Sequence, residues 1–323
     1  MLRAGPFAGR RGACTLILLM TLALLPVGSQ AVDNAEETDH SKILAELPIE
    51  ELIKVRVTSI ATGSPQTTIE APAVTSVITS TDIESMGATT FEEALLAVPG
   101  LHTSYSTQNS AAKYVIRGIS TLFNPQTLVL INGVPITSLI RGDRNSRLGV
   151  LPVKMISKIE VIRGPGSALY GADAFAGVIN VITKSAAEIN GTVAGGGVGS
   201  FKTHEAWLFH SEDLDELKIS LMADFRETEG HDRIINEDAQ TALDRVFGTQ
   251  ASLAPGPMSL SEKGLALFLD IAKSKWRLKG SYYGKSNLGA GQGVSQALDP
   301  NLKESLSRTT VDLTFRDVKL SNH

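Results

Sequence analysis

Cysteine is almost missing from this chain. Of 323 residues only Cys14 is one, and once an N-terminal export segment is removed none is left to form a disulfide or a thiolate ligand. Basic excess is missing too: 30 Lys and Arg stand against 34 Asp and Glu, a net charge of −4, and such a chain is a poor nucleic-acid binder. No apolar run reaches the roughly 20 residues a membrane helix requires, which excludes helical spans. Barrel strands are not excluded, because their alternation barely registers in hydropathy. A mean hydropathy of +0.06 with 29 glycines fits a soluble β-rich protein or a barrel wall, and composition does not separate them.

Catalytic and metal-binding patterns are also wanting. The six histidines (His40, His102, His204, His210, His231, His323) are scattered, without the spacing of a zinc site. His204 and His210 share a strand face and read as solvated residues of a lumen. Gly195-Gly-Gly-Val-Gly199 has neither the Lys-Ser/Thr of a phosphate loop nor dinucleotide spacing, so plain strand glycine is the better reading. No Gly-x-Ser-x-Gly elbow occurs. Glu92 and Glu93 are adjacent on a helix and face different ways. No enzyme is expected.

What is present begins with an export segment over 1–31. Arg3, Arg10 and Arg11 precede the 12-residue apolar stretch Cys14–Leu25, which Pro26 and Gly28 break before the small-residue cleavage pattern Ser29-Gln30-Ala31. Twelve residues are too few to span a bilayer, which argues against an anchor. Removal of those three arginines takes the net charge from −4 to −7.

Residues 32–70 read as a flexible leader. Its first part is acidic and polar; Leu47–Ile53 suits one and a half helical turns, and Lys54–Ile60 has period-2 alternation before the Thr62–Pro65 break. An isolated β-prone strip with nothing local to pair with can be lent to a partner's sheet edge. An ordinary edge strand of the next domain is the other reading.

Residues 71–184 form one α+β unit. Val74–Thr79 is a strand, Thr81 with Glu84 predicts a capping box, and Thr90 with Glu93 predicts a second. Lys113–Gly118 and Thr127–Val134 are further strands, the latter with the Asn132-Gly133 turn signal. The run Lys158-Ile-Glu-Val-Ile-Arg-Gly-Pro-Gly-Ser-Ala-Leu-Tyr-Gly-Ala-Asp-Ala-Phe-Ala-Gly-Val-Ile-Asn-Val-Ile-Thr183 then predicts a strand, a glycine-rich bend, a small-residue helical turn and a second strand.

From Gly191 the texture changes to alternation. Ile219, Leu221, Ala223 and Phe225 point one way, with Lys218, Ser220, Asp224 and Arg226 opposite. The pattern recurs at Leu265–Ile271, Trp276–Tyr282 and Thr309–Phe315. Six strands follow, at 191–199, 203–211, 217–227, 264–273, 275–285 and 307–317. Their links are tight on one side and long at 228–263 and 286–306 on the other, as in outer-membrane barrels. The short link 200–202 breaks the rule, and a soluble antiparallel sheet is the competing reading.

The 158–183 run resembles the end of the plug domain of TonB-dependent outer-membrane receptors. Val55–Ser59, Val77–Ile83, Phe91–Leu101, Val115–Gly118 and Leu130–Pro135 match that family in order over about 130 residues, which is strong where any one alone is weak. The wording looks closest to the cobalamin, catecholate-siderophore and colicin receptor branch. The resemblance implies an α+β plug followed by antiparallel transmembrane β-strands of a 22-stranded β-barrel. The organisation expected is a signal peptide over 1–31, a periplasmic leader over 32–70, a plug over 71–184, and about six strands of the barrel's N-terminal part over 191–323.

The family's activity is uptake of scarce large nutrients, ferric siderophores, cobalamin or haem, across the outer membrane of a Gram-negative bacterium. Its partners are TonB with the inner-membrane energising complex, a small-molecule or metal-chelate ligand, and outer-membrane lipid. Val55, Arg56, Val57, Thr58 and Ser59 would be the TonB box. Arg117, Gly118, Asn132, Gly133, Glu160, Arg163, Gly164, Pro165, Tyr170, Gly171, Gly177 and Asn180 carry the plug motif. Arg117 and Arg163, with Glu160, would pair with the barrel's inner face or within the plug. Tyr105, Gln108, Asn109, Asn124, Arg141 and Arg144 are the expected substrate-facing loop residues. Twenty-two strands need roughly 400 to 600 residues, whereas 133 follow Asn190. The barrel is therefore expected to be incomplete here: a truncated part of a longer product is the favoured reading, beside a degraded gene product or a short chain that completes its barrel by assembling with others.

Overall fold

The computed structural model describes residues 57–58, 60, 66–67, 73–106, 111–138, 142–144 and 148–316. The export segment and the helical turn expected at 47–53 lie outside them. Two short strands, β1 (Val57–Thr58) and β2 (Gln66–Thr67), pair antiparallel. β3 (Thr75–Thr79) runs straight into the helix Ser80–Ser85. Its cap is Thr79 and not the expected Thr81. Asp82 N donates to Thr79 Oγ1 at 3.2 Å, and Thr79 N donates back to the Asp82 carboxylate at 2.8 Å. Both pairs have the right spacing, but the last strand residue already holds the extended backbone a cap needs. Thr90 and Glu93 form the expected box on the helix Phe91–Leu95.

β4 (Leu101–Tyr105) and β5 (Ala112–Ile116) make a separate hairpin. β6 (Thr127–Ile131), β7 (Val134–Pro135), β8 (Ile156–Arg163) and β9 (Gly177–Thr183) join β3 in a five-stranded sheet of order β3-β8-β9-β6-β7. β6 and β9 are parallel; the other neighbours are antiparallel. Asn132 and Gly133 both have positive φ, 51° and 82°, the geometry that turns β6 back into β7. The bend between β8 and β9 holds one helical turn, Ser167–Tyr170, and a 3-10 turn, Ala172–Ala174.

The side-chain period of two gives this sheet two buried faces. Val129, Ile159, Val161, Ile179 and Val181 pack with Ile83, Phe91 and Leu95 in the larger core. Leu128, Leu130, Ile162 and Val178 form a smaller cluster on the opposite face.

The rest is one antiparallel sheet. β10 (Gly191–Gly199), β11 (Thr203–Leu214) and β12 (Leu217–Thr228) are followed by a short pair, β13 (Ile234–Ile235) and β14 (Gly256–Pro257). β15 (Glu262–Lys273), β16 (Trp276–Gly289) and β17 (Lys303–Phe315) complete the order β10-β11-β12-β15-β16-β17. All six expected strands are present, several of them longer than the alternation alone showed. The links 215–216 and 274–275 lie at one end of this sheet, and the loops 229–261 and 290–302 at the other. The first loop contains a helix that alternation did not reveal, Ala239–Phe247, capped by Asp238.

The six-stranded sheet has an inner and an outer face. Phe209, Met222, Ala266 and Tyr283 point inward and share the larger core with the α+β unit. Leu221, Leu265, Leu267, Leu278, Val311 and Leu313 point outward and are exposed. At the tight-turn end the Trp276 and Phe315 rings meet at a tilt, 4.7 Å between centroids, where a barrel strand carries interfacial aromatics. His204 and His210 sit on the outer face with Leu208, not on the expected lumen side, because it is the odd positions Glu205, Trp207 and Phe209 that face inward.

Candidate functional site

Of the expected TonB box, Val55, Arg56 and Ser59 lie outside the described residues. Val57 and Thr58 are not the unpaired strip expected of them: Val57 sits opposite Thr67 and Thr58 opposite Gln66. The segment is also docked by side chains. Thr58 and Ile60 are each 1% exposed, and Ile60 completes the smaller cluster against Leu128, Leu130, Ile162 and Val178. Tyr170 packs there and donates its hydroxyl to the Ile60 carbonyl at 3.0 Å. Burial first, and the Glu160 charge second, push the Tyr170 phenol above its ordinary value. It therefore stays protonated and keeps donating.

The plug-motif residues serve this dock and the sheet beneath it. Glu160 is fully buried and pairs with Lys158 Nζ at 2.7 Å. Arg163 Nη1 donates to the Pro99 carbonyl at 2.7 Å. The Arg117 guanidinium lies against Gly164, where a Cβ would stand 3.4 Å from Nη1. Among the described residues these contacts are made within the plug, which is one of the two readings left open for Arg117, Arg163 and Glu160. The alternation puts Glu160 on the leader-facing side of β8 with Ile162, away from the wall.

Asn132 Oδ1 accepts the Thr183 N–H at 3.1 Å and Asn180 Oδ1 accepts the Gly133 N–H at 3.1 Å, so the turn is locked to β9. Gly118, Gly164 and Gly171 have positive φ, and Pro165 is exposed between them in the chain order of the bend. At Gly177 a Cβ would lie 2.3 Å from the Ile162 carbonyl oxygen.

The expected substrate-facing set divides. Gln108, Asn109 and Arg141 lie outside the described residues, and Tyr105 is exposed at the end of β4. Asn124 and Arg144 are buried, 2% and 1% exposed, and so do not offer their side chains to a ligand. Arg144 donates to Thr127 O at 2.7 Å, to Thr137 Oγ1 at 2.7 Å and to Pro125 O, and pairs with Asp173 at 3.4 Å. It is a strut between the loop at 142–144, β6 and the motif bend. Burial lowers its pKa from the ordinary guanidinium value, partly offset by the Asp173 charge and hydrogen bond.

Sequence reasoning missed the seam between plug and wall. A cleft of about 100 Å³ there is lined by Glu92, Lys154, Glu205, Asp224, Glu262 and Lys285, among others. Lys154 Nζ is 2.6 Å from Glu205 Oε1. Lys285 Nζ donates to Glu262 at 2.9 Å, and Arg308 Nη2 donates to the Val150 carbonyl at 2.8 Å. The one signal was the placement of charges on the inner positions of alternating strands.

A sheet domain seated against the inner face of an antiparallel strand wall that is apolar outside is the arrangement of a plug against part of a barrel wall. The profile of the TonB-dependent Receptor Plug Domain matches residues 67–178. The chain is 31% identical over 255 residues to the vitamin B12 transporter BtuB of Vibrio vulnificus (strain CMCP6), covering 78% of this chain and 40% of that protein. In fold it is similar to the ferripyoverdine receptor of the outer membrane of Pseudomonas aeruginosa, with a TM-score of 0.57 and 15% identity over 80% of this chain and 33% of the other. The ferric enterobactin receptor PfeA of the same organism gives a TM-score of 0.54 and 21% identity over 80% and 39%. The chain belongs to the TonB-dependent receptor family, of which it carries the plug and strands of the barrel wall. It spans about 40% of the length of the curated relative it matches.

Proposed function

We propose that this chain is the gate-bearing part of an outer-membrane importer that takes up a scarce large nutrient, a ferric siderophore, cobalamin or haem, when TonB rearranges its plug. The observation that carries this is the wall's two-sidedness. Its outer face exposes Leu221, Leu265, Leu267, Val311 and Leu313, while its inner face shares a core with the plug. In water such a contiguous apolar face is a liability; in lipid it is what a barrel strand presents. A secreted binding module folding in water is disfavoured on the same ground.

The geometry supports a division of labour. The wall holds the plug by its inner face, and Ile60 of the leader packs on the plug's opposite face. TonB would take this segment by strand addition, through main-chain hydrogen bonds. The likeness to a B12 transporter and to ferric-siderophore receptors supports the ligand class and an outer-membrane location; the number of strands in the complete barrel is taken from the family.

The test is Val57→Pro in the complete receptor. Proline removes a ladder donor and fixes φ. Uptake of the ligand is expected to fall to background with surface binding unchanged. Uptake at the wild-type rate would show that the strand lent to TonB lies elsewhere.

A further inference from the structure

Lys154 stands in the 3-10 turn Val153–Met155 that leads into β8. Its ammonium meets Glu205 at 2.6 Å and lies 4.1 Å from the centroid of the Trp207 ring. Glu205 and Trp207 are two apart on β11 and so share its inner face. Opposite them in register on β10 are Gly197 and Gly195. A Cβ at Gly195 would stand 2.2 Å from Trp207 Cζ2 and 2.6 Å from Cε2, and one at Gly197 would stand 2.9 Å from Glu205 Oε1. The indole therefore lies over bare backbone, where a cross-strand side chain would otherwise push it out. The glycine run that fits no nucleotide motif is a bed for these two side chains.

We propose that Gly195, Gly197, Glu205 and Trp207 form a built receptor for the Lys154 ammonium, a clamp that sets where the plug meets the barrel wall. A cation over an indole face and a carboxylate in contact with the same ammonium act together, and the site is partly screened from water. Asp224 stands opposite Trp207 in register on neighbouring β12 and lines the same cleft as Lys154 and Glu205. The position is the consequential one. β8 lies between β3 and β9 in the plug sheet, and beyond its far end the bend holds the Tyr170 that grips Ile60. On the import reading, which this proposal deepens, a pull on the leader travels along β8, and the clamp holds the wall end while the leader end moves. Lys154 is a positioning residue.

The experiment measures acylation of lysines by a water-soluble N-hydroxysuccinimide ester in outer-membrane preparations of the complete receptor, read by peptide mass spectrometry. Lys154 is expected to react about tenfold more slowly than exposed Lys202, the factor that about 1.4 kcal/mol of holding energy gives. Glu205→Gln and Gly195→Val are each expected to raise the Lys154 rate severalfold while Lys184, at the same end of the plug sheet, keeps its rate. Labelling of wild-type Lys154 as fast as Lys202 would overturn the clamp. So would a Gly195→Val protein in which Lys154 and Lys184 rise together, because that is general loosening of the plug. Should Gly195→Val not assemble, the wild-type ratio and Glu205→Gln decide. None of these rates depends on transport, so the import reading can fail without the clamp failing, and the reverse.

Discussion

The Tyr114 hydroxyl donates to Glu92 Oε1 at 3.1 Å, and the Tyr114 ring meets Phe91 edge-on at 5.7 Å between centroids. One tyrosine thus closes the core and partners the carboxylate beside it. Burial raises the Glu92 pKa from 4.5, with the Tyr114 hydrogen bond and the Lys285 charge pulling the other way. A carboxyl raised in the fold stabilises it below the ordinary value, and that contribution is lost as pH rises through the raised one. Glu92→Gln is therefore expected to melt higher than wild type at neutral pH, with the difference vanishing near pH 4. Thermal unfolding in detergent at the two pH values checks this; equal melting at pH 7 would contradict it.

Tyr170→Phe removes the hydroxyl that holds the Ile60 carbonyl and leaves the ring in place. One hydrogen bond is worth about 1 kcal/mol. Leader opening is expected to rise about fivefold, read as faster proteolysis on the N-terminal side of β3, with plug melting little changed.

Arg144→Met is expected to cost about 2–4 kcal/mol, because the carbonyls of Thr127 and Pro125 lose their donor inside the fold. Asp173→Asn is expected to cost less than about 1 kcal/mol, since that side chain is half exposed and its pair is screened. Denaturant titration of the two variants separates them. A large loss for Asp173→Asn would mean the ion pair, not the carbonyl strut, matters.

Asp238 ties the two long loops together. Its carboxylate caps the helix Ala239–Phe247 through Thr241 N at 2.7 Å and accepts Leu298 N at 2.7 Å across to the second loop. Desolvation raises its pKa, but the hydrogen bonds from Leu298, Ser252 and Thr241 outweigh this and bring it from 3.8 to about 2. The stabilisation is thus complete above 3.8 and is lost as pH falls through about 2. Asp238→Ala is expected to cost about 1 kcal/mol of loop order and to speed amide exchange at Leu298 at neutral pH. Unchanged exchange there would break the link.

Local chemistry was legible wherever a short stretch decides its own shape. Asn132-Gly133 and Thr90/Glu93 do what their side chains dictate within four residues, and the wall strands announce themselves by period two. Thr81 misled because two capping pairs compete and strand geometry chooses Thr79. Arg144 misled further: its partners lie up to 29 residues away, and a basic loop residue looks the same whether solvated or entombed. The helix in the loop 229–261 was legible and was passed over: Ala239, Ala242, Leu243, Val246 and Phe247 have helical spacing behind the capping Asp238.

Pattern along the chain was enough to say that a mixed unit precedes a series of two-faced strands, since periodicity and turn chemistry act over neighbouring residues. Which face meets the plug, that Glu160 is buried beneath the leader and not against the wall, and that Lys154 finds Trp207 all required the assembled molecule. Those contacts join positions far apart in the chain, and only the register of one sheet on another brings them within the few ångströms over which hydrogen bonds and charge pairs act.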